Sequence, residues 1–306
     1  MPPDTATDEL TAIAALLRQF LAPYGIGLAV ALFAVPLMRF LAVRWDVFDR
    51  PDSGLKPHAQ PIPYLGGVGL WVGWLAVLLY AATRPDADRA SWSWIAVGGT
   101  VVMAVGLLDD LRGLSPKLRL LVQVLVAGGL VYGGVGRGIW QALALPFQSS
   151  LPLWLSHDAA GWCLDSVLCI GLLAGASNAT NLVDGLDGLC GGVIGIASLG
   201  FWALALLLWP VGGGADTDAG LRLQVALCAG LVGVCSAFLA YNFHPASIFM
   251  GDSGSLLLGF NVAVLIGLLA RQGSWRGLIG ALLIFGFPML DTMLAIVRRR
   301  LNRRPL

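Results

Sequence analysis

The sequence is poor in charge. Only 12% of its 306 residues are charged, whereas 57% are hydrophobic and the mean hydropathy is +0.79. A soluble domain carries about 25% charged residues, so the chain lacks roughly half of the charge that a water-facing surface needs. This argues against a soluble globular enzyme, and the high apolar content excludes disordered and fibrous classes. A polytopic integral membrane protein remains.

Glutamate and paired cysteines are also scarce. Glu9 is the only glutamate among the 18 acidic residues. The net charge of +1 argues against a nucleic-acid partner, and the acids Asp4 and Asp8 before the first apolar run argue against a signal peptide. The cysteines show no CxxC spacing, so we interpret them as buried apolar side chains rather than disulfides or metal ligands. They are Cys163, Cys169, Cys190, Cys228 and Cys235.

Nine apolar runs are long enough to cross a membrane, since about 20 residues of helix span a hydrocarbon core of roughly 30 Å. The stretch 139–155 is interrupted by Pro146 and Pro152 and is predicted to be an interfacial hairpin or loop. We therefore predict an all-α polytopic fold with about nine transmembrane helices. A polar N-terminal segment (1–19) precedes a single transmembrane catalytic domain (20–297), and a basic cytoplasmic C-terminus (298–306) follows it. The predicted spans are 20–43, 64–83, 92–108, 118–135, 159–177, 189–209, 221–241, 255–270 and 275–297.

The distribution of lysine and arginine predicts the orientation, because these residues are retained on the cytoplasmic side. With alternate crossings, twelve fall on one face and seven on the other, which places the N-terminus outside and the C-terminus inside. The polar segments after the third, fifth and seventh spans then all emerge on the cytoplasmic face. Loops distant in sequence can meet there in one site.

Five aspartates concentrate in these three loops: Asp109, Asp110, Asp184, Asp187 and Asp252. An aspartate at the bilayer centre costs about 2.5 to 3.5 kcal/mol, so the five are expected near the interface or facing a wet cavity. Each one alone has the alternative interpretation of a solvated loop residue. Their joint occurrence on one face indicates a functional site.

The segment after the fifth span carries a polar residue at every third position: Asn178, Asn181, Asp184 and Asp187. On a helix or helical turn these side chains would form one oxygen-rich stripe. Carboxylates and amide carbonyls without nearby Cys or His suit Mg²⁺ or Mn²⁺ rather than zinc. The alternative is a helix-entry turn with Asn and Asp as caps, which accounts for one or two of the four.

Groups suited to bind phosphate lie on the same face as the acids. Asp252 lies between glycines just before an apolar helix, whose first N–H groups attract phosphate oxygens. Lys117 and Arg119 are suited to neutralise an anionic lipid head group, the alternative being positive-inside anchoring. Candidate substrate contacts of the other loops are Lys56, His58 and His244, although a lone histidine is more often a local hydrogen-bonding residue.

Taken together, the motifs resemble the polyprenyl-phosphate N-acetylhexosamine-1-phosphate transferase family, glycosyltransferase family 4. They are Asp109-Asp110 with Lys117 and Gln123, NATNLVDGLDGL at 178–189, HPASIFMGDSGSLLLG at 244–259 and PMLDT at 288–292. The resemblance runs from the KPHAQPIPYLGG loop to the last span. It implies a bacterial inner-membrane, multi-pass enzyme that moves a phospho-sugar from a UDP-N-acetylhexosamine to undecaprenyl phosphate and releases UMP.

The resemblance also implies roles for individual residues. Asn181 and Asp252 correspond to Mg²⁺ ligands, with Mn²⁺ as a substitute. Asp109 and Asp110 correspond to the pair that contacts or deprotonates the lipid phosphate. Asp184 and Asp187 correspond to catalytic or nucleotide-binding carboxylates, and Lys117 corresponds to a phosphate contact. Together with the candidates from the loops themselves, the predicted substrate contacts are Lys56, His58, Lys117, Asn178 and His244. Membrane lipids are expected partners, and a homodimer is compatible with this interpretation.

Two alternatives stay open on the sequence. Family members usually continue into a His-rich cytoplasmic loop and further spans, whereas the sequence ends at Leu306. The protein would then be a non-catalytic remnant that binds lipid or UDP-sugar. A secondary transporter is the other alternative, although the acids cluster at one face and no inverted repeat is evident.

The form of the PIPYLGG loop favours enzymes that use GlcNAc-phosphate over the translocase that uses UDP-MurNAc-pentapeptide.

Overall fold

The computed structural model describes residues 5–50, 60–84, 87–150, 158–208, 219–272 and 275–301, and these ranges are mostly helical. The short strands β1 (Phe48–Asp49) and β2 (Ile62–Pro63) pair antiparallel, and a 3₁₀ turn covers Leu145–Ser150. The helices are α1 (Thr5–Arg44), α2 (Gly66–Ala82), α3 (Arg89–Arg112), α4 (Pro116–Tyr132), α5 (Ile139–Ala144), α6 (Asp158–Val183), α7 (Leu189–Leu207), α8 (Ala219–Asn242), α9 (Gly251–Ala270) and α10 (Trp275–Leu301).

Each of the nine predicted apolar runs coincides with a helix. Six helices of the described ranges are long and apolar enough to cross a membrane, namely α1, α3, α6, α7, α8 and α9, whereas α2 is a shorter apolar helix. The multi-pass helical fold is confirmed, while nine crossings and their orientation stay predictions. In the described part of the interrupted stretch, 139–150, the chain forms the six-residue α5 and the 3₁₀ turn.

Several helix boundaries differ from the predicted spans. Helix α1 begins at Thr5, within the segment predicted only as polar, and α10 continues past residue 297 to Leu301. Both extensions contain charged residues, such as Asp8, Glu9 and Arg298, which the search for apolar runs left outside the predicted spans. Backbone hydrogen bonding can continue beyond the hydrophobic run because each added residue propagates an existing helix.

The outer surface of the bundle is apolar. Phe33, Leu207 and Phe287 are each at least 80% exposed. In water such a surface would be an association hazard, but a hydrocarbon surrounding removes the cost. The exposed apolar side chains therefore agree with the membrane environment inferred from composition.

The cysteines are mostly as predicted. Cys169, Cys190, Cys228 and Cys235 are buried and free. The prediction was wrong for Cys163, which is exposed on α6. An apolar sequence context does not distinguish the outer face of a membrane helix from its packed face, since both are apolar.

Helix α9 lies at the centre of the bundle and packs against α2, α3, α6 and α10. All its residues are buried except Asp252, which is partly exposed. Within the core, the indole N–H of Trp74 donates to Asn261 Oδ1 at 2.7 Å, so two buried polar groups satisfy each other. The surrounding helices thus fix α9, and with it the position of Asp252 in its first turn.

Helix α3 reaches the first turn of α9 because it carries glycine at the crossing. A Cβ on Gly106 would lie 2.6 Å from the carbonyl oxygen of Asp252 and 2.6 Å from Ser253 Cα. Both are backbone atoms, so a side chain there would push α3 away from α9. The glycine lets Asp109 and Asp110, one turn further along α3, reach the start of α9.

Gly106→Ala is expected to destabilise the protein by about 1–3 kcal/mol, because the added methyl overpacks a backbone contact. Gly128→Ala is the matched control, since a Cβ on Gly128 of α4 meets no atom within 4 Å. There the better helix propensity of alanine predicts an unchanged or slightly higher stability, by up to about 1 kcal/mol. Thermal unfolding in detergent, followed by tryptophan fluorescence, measures both. Equal effects of the two substitutions would contradict the assigned close approach.

Candidate active site

The ends of three helices surround a pocket of about 400 Å³. The last turn of α3 adjoins it, and its lining includes residues from the turn after α6 and from the loop between α8 and α9. The prediction that the loops after the third, fifth and seventh spans meet in one place is confirmed. The acids that line the pocket are Asp49, Asp184, Asp187 and Asp252.

Asp110 ties α3 to the start of α9. Its Oδ1 accepts the hydroxyl of Tyr64 at 2.9 Å and the N–H of Asp252 at 2.8 Å, while Oδ2 accepts the N–H of Ser253 at 3.1 Å. Backbone N–H groups in the first turn of a helix have no intrahelical partner, so a carboxylate stabilises them. With three donors in place, Asp110 is held rigidly and in turn holds the backbone of Asp252.

Tyr64 completes this arrangement from the segment between β2 and α2. Burial and the negative charge of Asp110 raise the pKa of the Tyr64 hydroxyl well above its usual range. The hydroxyl therefore stays protonated and acts as a donor at any physiological pH. Sequence analysis had marked the loop of Tyr64 without assigning this residue a role.

Arg119 joins the first and third loops. Its Nη1 lies 2.6 Å from Asp109 Oδ2 and 2.6 Å from Asp252 Oδ2, and the N–H of Leu114 also donates to Asp109. Lys117, the cation assigned to substrate in the prediction, is exposed. Positions two residues apart on a helix are rotated by about 200°, so Lys117 and Arg119 leave α4 in nearly opposite directions. The structure places Arg119 at the site.

Asn181 and Asp252, the two predicted metal ligands, are in contact across 71 positions of sequence. Asn181 Nδ2 donates to Asp252 Oδ1 at 2.6 Å and to Ser255 Oγ at 3.1 Å. Asp184 lines the same pocket. Burial raises the pKa of Asp184 well above its ordinary value, and the negative charges of Asp252 and Asp110 raise it further. Three carboxylates, those of Asp110, Asp184 and Asp252, therefore lie close together, and a bound cation would offset their mutual repulsion.

A divalent cation fits this donor set. The described residues contain no group of three or more His, Cys, Asp or Glu side chains able to hold a metal by themselves. Mg²⁺ characteristically takes one or two carboxylates and completes its octahedron with waters and substrate phosphates. Asn181 and Asp252, a pair of oxygen-bearing side chains in an acidic pocket, match this coordination preference. A closed structural metal site would need more protein ligands.

The second and third loops are joined at Asp187. Its Oδ2 lies 2.9 Å from His244 Nδ1 and accepts the N–H of Ala246 at 3.0 Å. Asn242 adds a buried link, accepting the N–H of Gly188 at 3.0 Å and donating to the carbonyl of Ile248 at 2.9 Å. Asp187 and His244 therefore form one edge of the pocket, with most of the His244 side chain exposed.

Other predicted residues are placed differently. The amide of Asn178 donates to the carbonyl of Ala174 on its own helix, and its exposed side chain does not line the pocket. The other three residues of the predicted stripe, Asn181, Asp184 and Asp187, all line the pocket, although α6 ends at Val183 and the two aspartates lie in the turn that follows it. Lys56 and His58 lie outside the described residues.

Asp49 is a pocket residue that sequence analysis did not identify. It lies on β1, which pairs with β2 beside Tyr64. No recurring motif marks it, and its neighbourhood in sequence contains two further aspartates, Asp46 and Asp52. The pairing of β1 with β2 brings Asp49 to the pocket.

Comparison with known proteins agrees with the site. Residues 92–270 match the model of glycosyl transferase family 4. The chain is 32% identical to a probable undecaprenyl-phosphate N-acetylglucosaminyl 1-phosphate transferase of Bacillus subtilis, over 92% of this chain and 72% of the relative. It is 32% identical to decaprenyl-phosphate N-acetylglucosaminephosphotransferase of Mycolicibacterium smegmatis, over 92% and 71%. A phospho-N-acetylmuramoyl-pentapeptide-transferase of Picosynechococcus is 35% identical over 83% and 63%. The resemblance seen in the motifs is thereby confirmed: the chain belongs to glycosyl transferase family 4.

Proposed function

We propose that this protein transfers N-acetylglucosamine 1-phosphate from UDP-N-acetylglucosamine to undecaprenyl phosphate in the bacterial inner membrane. Its relatives are named as polyprenyl-phosphate or muramoyl-pentapeptide phosphosugar transferases, which supports the reaction class. The observation that carries the proposal is the junction of Asp252 with Asn181 and Arg119 in a pocket at the end of the helical bundle. Such a transfer would begin the assembly of a cell-envelope glycan.

The reaction exchanges one phosphorus–oxygen bond for another. An oxygen of the lipid phosphate attacks the β-phosphorus of the UDP-sugar, and the bond from that phosphorus to UMP breaks. UMP leaves with the electron pair, and the product is a lipid diphosphate sugar. Because both reactants are anionic, positioning and charge neutralisation are the main tasks of the protein.

Asn181 and Asp252 are the residues proposed to hold Mg²⁺. When bound, the cation neutralises phosphate charge and stabilises the charge that develops on the leaving phosphate. The acidic lining strengthens the argument, since four aspartates would otherwise repel a nucleotide diphosphate. Asp184 lies in the same oxygen-rich region and is proposed to support this binding or to face the nucleotide.

The remaining residues have positioning and charge roles. Asp110 holds the backbone of Asp252 and Ser253, so we assign it a positioning role rather than that of a base. Arg119 holds Asp109 and Asp252 together and offers a guanidinium to an approaching phosphate. Asp187 and His244, on the exposed edge of the pocket, are proposed to contact the nucleotide.

Membranes containing the protein, UDP-N-acetylglucosamine, undecaprenyl phosphate and Mg²⁺ are expected to release UMP and form a lipid diphosphate sugar. UDP-MurNAc-pentapeptide, supplied in parallel, is expected to react poorly, because the N-acetylglucosamine-transferring relatives match more of this chain. No UMP from an intact, folded sample would overturn the proposed activity. A preference for the pentapeptide donor would overturn the choice of sugar alone.

Tyr64→Phe is expected to lower kcat by about three- to tenfold with little change in KM for UDP-sugar. The substitution removes one donor to Asp110 and leaves the two backbone donors in place, so Asp252 is held less firmly. Tyr80→Phe is the matched control, because Tyr80 lies at the far end of α2. Steady-state UMP release measures both, and equal kcat for Tyr64→Phe and the unsubstituted protein would contradict the role.

A further inference from the structure

A second cavity, of about 810 Å³, lies at the opposite end of the bundle from the candidate active site. Residues of α1 and α8, the end of α2 and the start of α3 form its walls. Asp88 caps the N-terminus of α3 and Asp109 lies in its last turn, 21 positions later. At 1.5 Å per residue the two ends are about 30 Å apart, so this cavity is separate from the transferase pocket. Its size is that of a small-molecule site.

The wall of this cavity has an excess of positive charge. Arg18, Arg84 and Arg222 line it, and Asp88 is the only acid among its described lining residues. The carboxylate of Asp88 already binds Arg271, whose Nη1 lies 2.6 Å from Asp88 Oδ2. Burial alone would raise the pKa of Asp88, but hydrogen bonds from Arg271 and Ser91 outweigh it and lower that pKa. Asp88 is thus ionised and paired with a cation outside the lining, so Arg18 and Arg84 contribute positive charge that no other acid of the described lining offsets.

The other groups of the cavity restrict the chemistry of a ligand. Guanidinium groups bind phosphate oxygens through paired N–H donors. Gln19 Oε1 is buried and has no hydrogen-bond partner among the described residues, so it can accept from a ligand hydroxyl. Leu21, Leu223 and Trp92 add an apolar wall. Phosphate, hydroxyl and hydrocarbon occur together in a glycerophospholipid.

The position of the cavity favours the same ligand. Its lining residues belong largely to α1, α3 and α8, which are long and apolar enough to cross a membrane, and Arg84 and Arg222 lie near helix ends. Basic pockets between transmembrane helices bind the head groups of anionic lipids. Arg84 and Tyr80 both line the cavity, and the Arg84 guanidinium lies 5.8 Å from the centre of the Tyr80 ring, an orienting cation–π contact.

We propose that this cavity is a binding site for a phosphate group, supplied by an anionic glycerophospholipid, on the membrane face opposite the transferase site. Arg18 and Arg84 bind the phosphate oxygens, Gln19 accepts from a glycerol hydroxyl, and the apolar wall receives the start of the acyl chains. The inference is independent of the proposed transferase activity, because it uses none of that site's residues.

The test is native mass spectrometry of the purified full chain, titrated with dihexanoyl phosphatidylglycerol or dihexanoyl phosphatidylcholine. We expect one phosphatidylglycerol to bind in clear preference to phosphatidylcholine. The double variant Arg18→Gln/Arg84→Gln is expected to bind phosphatidylglycerol about 30-fold more weakly. Arg89→Gln is the matched control, since Arg89 is exposed at the same end of α3 and does not line the cavity. It is expected to bind as the unsubstituted protein does.

Glycerol 3-phosphate, titrated alone, separates the two sources of phosphate. If it binds as tightly as phosphatidylglycerol and is lost in the double variant, the phosphate site stands and its lipid source is wrong. Equal binding of both lipids by the unsubstituted protein overturns the proposal, and so does unchanged binding in a folded double variant. The comparison of lipids in the unsubstituted protein decides the matter even if the double variant does not fold.

Discussion

Asp252→Asn is expected to reduce transfer of the phospho-sugar at least about 1000-fold while leaving the protein folded. The asparagine matches the shape of aspartate but has no negative charge. It cannot bind a divalent cation as a carboxylate does, and it cannot form the ion pair with Arg119. Because Asp252 is the only partly exposed residue of α9, the loss should concern the pocket and not the core.

Asp46→Asn is the matched control for this experiment. Asp46 also forms an ion pair with an arginine, Arg50, at 2.6 Å, but both side chains are mostly exposed. Exposed pairs contribute about 0–1 kcal/mol, and asparagine tolerates the positive φ of this position. UMP release by Asp46→Asn should equal that of the unsubstituted protein. Retention of more than about a tenth of the activity by a folded Asp252→Asn protein would contradict the proposed role of Asp252.

Removal of divalent cations is the second large effect that we expect. Dialysis against a chelator should reduce UMP release at least about 100-fold, because two phosphates must approach in a pocket lined by four aspartates. Mg²⁺ should restore the rate, and Mn²⁺ should replace it since both prefer oxygen ligands. Zn²⁺ should restore it poorly, as the pocket has no thiolate and His244 is its only imidazole among the described lining residues.

Two readouts distinguish loss of the cation from loss of the fold. The thermal unfolding temperature in detergent should change little on chelation, because the described core is held by packing and by bonds such as Trp74 to Asn261. Added Mg²⁺ should also have little effect on Asp252→Asn. Full activity after exhaustive chelation would overturn the proposed cation dependence, whereas the family assignment would stand on its own evidence.

The site could be predicted from sequence as far as motifs and sidedness allowed. The resemblance of the motifs to the family implied Asn181 and Asp252 as metal ligands, and in the structure Asn181 Nδ2 lies 2.6 Å from Asp252 Oδ1. Alternate crossings of the membrane were enough to predict that their loops lie on one face, where they can meet. No local pattern indicated Asp49, since β1 and β2 pair only after the chain has folded back.

The choice between neighbouring residues was beyond the sequence. Lys117 and Arg119 have the same charge, and only the rotation of α4 about its axis decides that Arg119 faces Asp109 and Asp252. Asn178 was placed in a stripe by its spacing, but its amide donates to the carbonyl of Ala174 on its own helix and its side chain lies outside the pocket. Asp110 was grouped with Asp109 as chemically active, whereas its bonds to Tyr64 and to the start of α9 indicate a positioning role.

The sequence by itself determined the membrane environment, the helical class, the family and the aspartates to test. These follow from composition, apolar run length and motif order, which are properties of the chain read in one dimension. The tertiary structure decided which polar atoms are neighbours: Arg119 between two acids, Asp110 beneath Asp252, and three arginines around a cavity at the far end. The physical reason is that the rotation and packing of the helices set the positions of the few charged side chains in an apolar bundle. No single segment of the sequence determines either.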